Sequence, residues 1–334
     1  RVRIAKILPG ENERLAALAR SGEVADSYGK GGSVAALESA FAALLGKEAC
    51  AFFPTGTLAN TVALRVLCGE DGRALCQHES HLYRDESDAA QRLAGLNLVP
   101  LAPGRAVPTA AEWTAALDVA EKGPYPVKVG AISIESPVRR ADGAMLSLAE
   151  IRSVASLARA HGSRLHLDGA RLLLAPADID IRAYAAPFDT VYVSLYKYLG
   201  APFGAVLAGS AELIAKAVEF RHIHGGLLSQ AWMPAALALD ALPGFRARMA
   251  EAHRAADALI ATLVATGQVR RRALQNPSNI HLLEMDKALA EAAFERGRRA
   301  GVRIGRWSNG AVPLYVNRTI LRRPVAELAA LFTG

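Results

Sequence analysis

The chain has 334 residues, 51% hydrophobic and 21% charged, enough to bury a full core in one large domain plus a smaller one. Its apolar runs are strand-length and bounded by Gly, Pro or charge, which excludes a membrane-spanning helix, and Cys50, Cys68 and Cys76 lack the short paired spacing of a disulfide framework or a zinc site. The net charge of +7 lies in dispersed arginines, with short clusters at residues 270–272 and 322–323, a pattern that suits small anionic ligands better than nucleic acid.

The sequence opens on Arg1 without an apolar signal core, so the cytoplasm is the default expectation, and residues 1–30 read as an N-terminal arm. Residues 34–45 place apolar side chains at helical spacing, with Ser33 as N-cap and Gly46 as stop. Short apolar runs then alternate with helical stretches, at residues 49–53, 74–76, 97–101, 129–134, 164–167, 190–194 and 204–208. That alternation predicts a parallel or mixed sheet between helices, as a large domain over residues 31–235. Residues 237–266 are Ala-rich and read as one bridging helix, and strand-like runs at 280–283 and 312–316 complete a small α+β domain over 236–334.

Three stretches carry chemistry. Phe53-Pro54-Thr55-Gly56-Thr57-Leu58-Ala59-Asn60 follows a strand and opens a helix, so its backbone N–H groups, the helix dipole and two threonine hydroxyls converge where an anion could sit. Alone, the run fits an ordinary strand-to-helix turn as well. Arg164-Leu165-His166-Leu167-Asp168-Gly169-Ala170-Arg171 delivers Asp168 at a strand's carboxyl end, where it either caps the next helix or meets a positive ligand group such as a protonated pyridine nitrogen. The third is Val191-Tyr192-Val193-Ser194-Leu195-Tyr196-Lys197-Tyr198-Leu199-Gly200, which sets a lysine among aromatics, where charge is readily lost and an imine can form; alone, such a lysine more often reads as a snorkelling surface residue.

In this order the three stretches resemble the threonine aldolase and β-eliminating lyase family of fold-type-I pyridoxal-phosphate enzymes, over residues 26–230. The resemblance implies an aspartate-aminotransferase-like α/β fold, pyridoxal 5′-phosphate as cofactor, an amino-acid substrate, and a homodimer or homotetramer; the cysteine spacing and the His222, His224 pair point to no metal. It also implies roles. Thr55, Gly56 and Thr57 hold the phosphate; Asp168 pairs with the pyridine nitrogen; Lys197 is the Schiff-base lysine; Arg171 binds the substrate carboxylate. His81, within Glu79-Ser80-His81-Leu82-Tyr83-Arg84, stacks on the ring, and Glu86 lies near the reacting centre as a proton-transfer group. Outside the resemblance, His81 reads as a structural histidine and Glu86 as a solvated loop carboxylate.

The chain also departs from the family. Glu135-Ser136-Pro137-Val138-Arg139-Arg140 stands where threonine aldolases show Glu-Asn-Thr-His-Asn, so Val138 replaces a histidine linked to the substrate β-hydroxyl. Gly225-Gly226-Leu227-Leu228-Ser229-Gln230 replaces a glycine-rich Met-Arg-Gln segment, Tyr196 replaces a serine, and Pro313 falls where a carboxylate-binding arginine is usual, with Arg306 or Arg318 as alternative cations. His222 and His224 alternate like strand neighbours, at the surface or entering the site. The expected reaction is carbon–carbon cleavage of a β-hydroxy-α-amino acid or its reversal. The alternatives are β-elimination to a 2-oxo acid and ammonia, and a non-catalytic relative that kept the fold.

Overall fold

A computed structural model describes residues 16, 17, 20 and 25–333; most of the expected N-terminal arm lies outside the described residues. The chain divides into two compact units, one of residues 1–141, 146–172 and 180–243, the other of residues 142–145, 173–179 and 244–334.

The first unit is built on seven strands: β1 (Ala49–Phe53), β2 (Arg73–Gln77), β3 (Asn97–Leu101), β4 (Val129–Glu135), β5 (Arg164–Asp168), β6 (Thr190–Ser194) and β7 (Ala205–Gly209). They lie in the order β1-β7-β6-β5-β4-β2-β3. Every residue of β4, β6 and β7 is buried, as expected of a sheet covered on both faces, and this is why these strands read as continuous apolar runs. Only β7 runs against its neighbours β1 and β6; the pairs from β6 through β5, β4 and β2 to β3 are parallel. The carboxyl ends of β1, β2, β4, β5 and β6 therefore open on one edge of the sheet, the edge at which open α/β sheets bind ligands.

The helix Gly32–Leu45 turns Val34, Leu37, Phe41 and Leu45 into the core and stops at Gly46, whose left-handed φ of 65° lets its N–H reach Ala42 and Ala43. Ser33 is not its N-cap: Gly31 holds that position at φ 79°, without a side-chain bond, and Ser33 is buried in the first turn.

The second unit carries a three-stranded antiparallel sheet, β8 (Arg270–Arg271), β9 (Ile280–Glu284) and β10 (Ala311–Tyr315), in the order β10-β9-β8. Its core gathers Leu259, Leu263, Leu283, Ala293, Val312 and Phe332. The expected single bridging helix is two helices, Trp232–Ala241 and Phe245–Val264. Pro243 lacks the N–H a continuing helix needs, and Gly244 takes a left-handed φ of 66° as N-cap of the second. No described helix is long and apolar enough to cross a membrane.

Candidate active site

The turn after β1 is shaped by two residues. Thr55 keeps extended backbone and its Oγ1 accepts the Leu58 N–H at 3.2 Å, capping the helix Gly56–Cys68. Gly56 is required by space: a Cβ there would come within 2.0 Å of the Tyr192 hydroxyl. The helix start is thereby drawn in against β6, and Thr57 stays partly open beside it.

One turn into that helix, Asn60 reaches the end of β5. Its Nδ2 donates to Asp168 Oδ2 and to Glu86 Oε1, both at 2.9 Å, while its Oδ1 lies 3.0 Å from His166 Nε2. His166 Nδ1 is in turn 2.8 Å from Thr190 Oγ1. His166 and Asp168 are two apart on β5 and so face the same side. Asp168 completes its bonding by accepting the Ala170 N–H at Oδ1, 3.1 Å away. Burial pushes His166 down to about 4, which leaves it neutral at pH 7.

β2 ends in Gln77, and the short helix that follows, His81–Arg84, is capped by Ser80. Gln77 accepts the Glu135 N–H at 2.6 Å and donates to the Glu135 carbonyl at 3.0 Å, locking the ends of β2 and β4 together. The buried Glu135 carboxylate then accepts the N–H of His81 at 2.6 Å and that of Arg139 at 2.9 Å. His81 Nδ1 sits 2.8 Å from Glu86 Oε1, and a ring nitrogen of His81 and one carboxylate oxygen each of Glu86 and Asp168 lie within 4.8 Å of one another. Asp85 accepts from both Arg139 and Arg140.

These buried charges move one another. Burial, then the Asp168 charge, raises Glu135 to about 7. Burial also raises Glu86, and its bond to His81 only partly offsets this. Burial works against a charged His81, but the Glu86 bond and the Asp168 charge outweigh it and raise the ring above its ordinary value. At Asp85 burial is likewise overcome, by hydrogen bonds from Arg140 and Arg139, and the carboxyl is held down at about 2.

Three residues past β6, Lys197 lies with its Nζ 5.9 Å from the Tyr192 ring and 5.8 Å from the Tyr196 ring. Burial, then the Arg171 charge, lowers it to about 8, against the pull of Asp168, Glu135 and Glu86. A lysine so placed is a substantial fraction neutral near physiological pH.

The expected site residues Thr55, Gly56, Thr57, His81, Glu86, Asp168, Arg171 and Lys197 all belong to this unit, and Glu86 is buried rather than a solvated loop carboxylate. Arg306 and Arg318 belong to the second unit, where the Arg306 guanidinium lies 4.8 Å from the Phe294 ring centroid. Val138 is fully buried. The histidine pair is not strand-like: His222 lies in the last turn of the helix Ala211–Ile223 and is exposed, and His224 caps it, with Nδ1 2.7 Å from the Phe220 carbonyl. Sequence reasoning passed over Asn60, His166, Gln77 and Glu135. One signal was available, the polar His166 two residues before Asp168 in an apolar strand.

Residues 12–288 match the family described as beta-eliminating lyase. The low specificity L-threonine aldolase of Saccharomyces cerevisiae is 31% identical over 216 residues, covering 64% of this chain and 55% of that protein. The chain thus spans little more than half of that relative's length. The Escherichia coli K12 protein of the same description is 28% identical over 309 residues, 91% of this chain and 90% of that one. The crystal structure of a candidate L-allo-threonine aldolase from Listeria monocytogenes superposes with a TM-score of 0.82 at 25% identity, covering 99% of this chain and 94% of the other. The mixed seven-stranded sheet followed by a small antiparallel one is the fold of fold-type-I pyridoxal-phosphate enzymes. With that fold and a family match over most of its length, the chain belongs to the beta-eliminating lyase family.

Proposed function

We propose that the protein is a lyase that cleaves or forms the bond between the α- and β-carbons of a β-hydroxy-α-amino acid, with pyridoxal 5′-phosphate as cofactor and Lys197 as the residue that carries it. On the family resemblance it works as a homodimer or homotetramer. The observation that supports this reading most is the meeting, on one sheet edge, of a lysine lowered to about 8 and a buried Asp168 fixed by bonds from Asn60 and Ala170.

The residues present fit the cofactor. A capped helix start faces the edge where a phosphate would need N–H donors. Asp168 is a carboxylate suited to a pyridinium, and Glu86 Oε2 is buried with no hydrogen-bond partner among the described residues, an orphan that a bound group could satisfy. Pyridoxal phosphate, when bound, supplies an aldehyde for primary amines and a protonated ring that takes up the electron pair released at the α-carbon.

The chain's residues would divide the remaining work. Lys197 offers a neutral amine at modest cost because burial and Arg171 have already destabilised its charged form. The Asp168 carboxylate would hold the ring proton in place. Arg171 would bind the substrate carboxylate and so decide which bond at the α-carbon is oriented for cleavage. His81 and Glu86 share a proton across 2.8 Å and can hold or return it at the reacting side.

Incubating the cofactor-loaded protein with both threonine diastereomers and phenylserine, and weighing the products, tests the assignment. Glycine plus the matching aldehyde is the expected result. A 2-oxo acid with ammonia would move the assignment to β-elimination, the reading favoured by the buried, apolar Val138 at the position of the family's histidine. No turnover of any of them would sink both.

A further inference from the structure

The donor and acceptor pattern around Asn60 has only one consistent solution. Asn60 faces two carboxylate oxygens, Asp168 Oδ2 and Glu86 Oε1, each at 2.9 Å, so its NH₂ must point at them. Its Oδ1 then needs a donor, and the atom within 3.0 Å is His166 Nε2, which must carry the proton of a neutral ring. His166 Nδ1 is left as an acceptor, and the Thr190 hydroxyl 2.8 Å away donates to it. Thr190, His166, Asn60, Asp168 and Glu86 are all at least 96% buried, so water does not compete for these bonds.

We infer that Asn60 is a positioning residue. By dividing its two N–H bonds between Asp168 and Glu86, and by being held from behind by His166 and Thr190, it fixes the spacing of two carboxylates that would otherwise repel. Asp168 is thereby held facing the cofactor ring, apart from the Glu86–His81 pair. This rests on the pyridoxal-phosphate reading of the same pocket. The other charged groups acting on this pair are His81, Lys197 and Glu135, none of which bonds to Asn60. Asn60 itself is 1% exposed, behind the carboxylates, where its role is exerted through them rather than on the substrate.

The test is a set of four variants compared with wild type for pyridoxal-phosphate affinity, by absorbance titration, and for kcat and KM. Asn60→Leu and Asn60→Asp should each weaken cofactor affinity and lower kcat by about 10- to 100-fold, the cost of stranding buried polar groups, with KM little changed. His166→Leu, which strands the buried Asn60 Oδ1 without its donor and removes the support behind it, should reproduce that loss. His166→Gln, which can still donate to Asn60 Oδ1, should restore most of it. Should Asn60→Leu fail to fold, the His166→Leu and His166→Gln pair decides the matter. Wild-type affinity and kcat in the Asn60 variants, or equal damage from both His166 variants, would overturn the inference. Borohydride reduction of the wild type with pyridoxal phosphate separates the two levels. If Lys197 is not labelled, the pocket reading falls and this inference with it; if it is labelled and the variants behave as wild type, only this inference falls.

Discussion

The carboxyl edge of the seven-stranded sheet and the three-stranded sheet of the second unit use charge in opposite ways. At the first, Asp168, Glu86 and Glu135 are buried together; burial, then the Asp168 charge, raises Glu135 to about 7, while burial, then the Arg171 charge, lowers Lys197 to about 8 against the pull of these carboxylates. In the second unit Arg272 binds Glu284 at 2.9 Å and Arg271 binds Asp257 at 3.4 Å, pairs that remain in contact with water, while the core behind them is apolar. Burying like charges side by side costs stability, and a fold retains such an arrangement for what the charges do. The second unit holds its charges where solvent screens them and takes its stability from Leu283, Val312 and Phe332.

The sharpest way to break this contrast is Lys197→Ala. Turnover and any lysine-linked chromophore should fall to background while the melting temperature holds or rises, because a poorly solvated amine has been removed. Activity that survived would dissolve the functional half of the comparison. The next effect is on rate against pH. Reductive labelling of Lys197 by a small aldehyde requires the neutral amine, which lies below its folded pKa of about 8 only as a minority. The rate should rise roughly tenfold between about pH 7 and the plateau, half-maximal near pH 8, whereas exposed lysines should climb only well above that.

Packing tests sharpen the other half. Leu283→Ala empties a fully buried position in the second unit and should cost about 2–5 kcal/mol by denaturant unfolding, leaving Lys197 labelling in the surviving folded fraction unchanged. Gly56→Ala should cost about 1–3 kcal/mol, since the new methyl meets the Tyr192 hydroxyl, and should also weaken pyridoxal-phosphate binding by displacing the helix start. Adding Tyr192→Phe removes the 2.0 Å contact but leaves the ring carbon at 2.6 Å, so the double variant should recover only part of the loss.

These two kinds of residue also differ in how far they could be read from the sequence. The strands of the first unit announce themselves as apolar runs because both faces are covered, and Gly56 and Asp168 at element ends, with Lys197 three residues past β6, stand where position alone hints at a role. Asn60 is silent in Leu58-Ala59-Asn60-Thr61, since its partners Glu86 and Asp168 lie 26 and 108 residues away and the fold alone brings them together. Glu135 is hidden for the same reason, its bond to the His81 N–H spanning 54 residues. The break at Pro243-Gly244 was legible, as such a pair is a strong helix stop, yet the Ala-rich flanks on both sides mask it. Ser33 misled because a serine before an apolar periodicity resembles a cap, while the backbone freedom of Gly31 moved the helix start forward.

The smallest expected effect is at Arg272, and it bears most directly on why the two regions differ. Its guanidinium holds Glu284 at 2.9 Å and the Asn309 carbonyl at 3.0 Å, so by contact distance alone it looks as well anchored as Asn60. The Arg272 and Glu284 side chains keep about a third of their surface in water, 34% and 30% exposed. Water therefore replaces most of what Arg272→Ala removes, and the loss should stay within about 1 kcal/mol and shrink further at high salt. The bonds of Asn60 are no shorter, but nothing replaces them when they are cut. A loss from Arg272→Ala as large as that from Gly56→Ala, or one insensitive to salt, would mean that burial is not what separates the working edge from the supporting sheet.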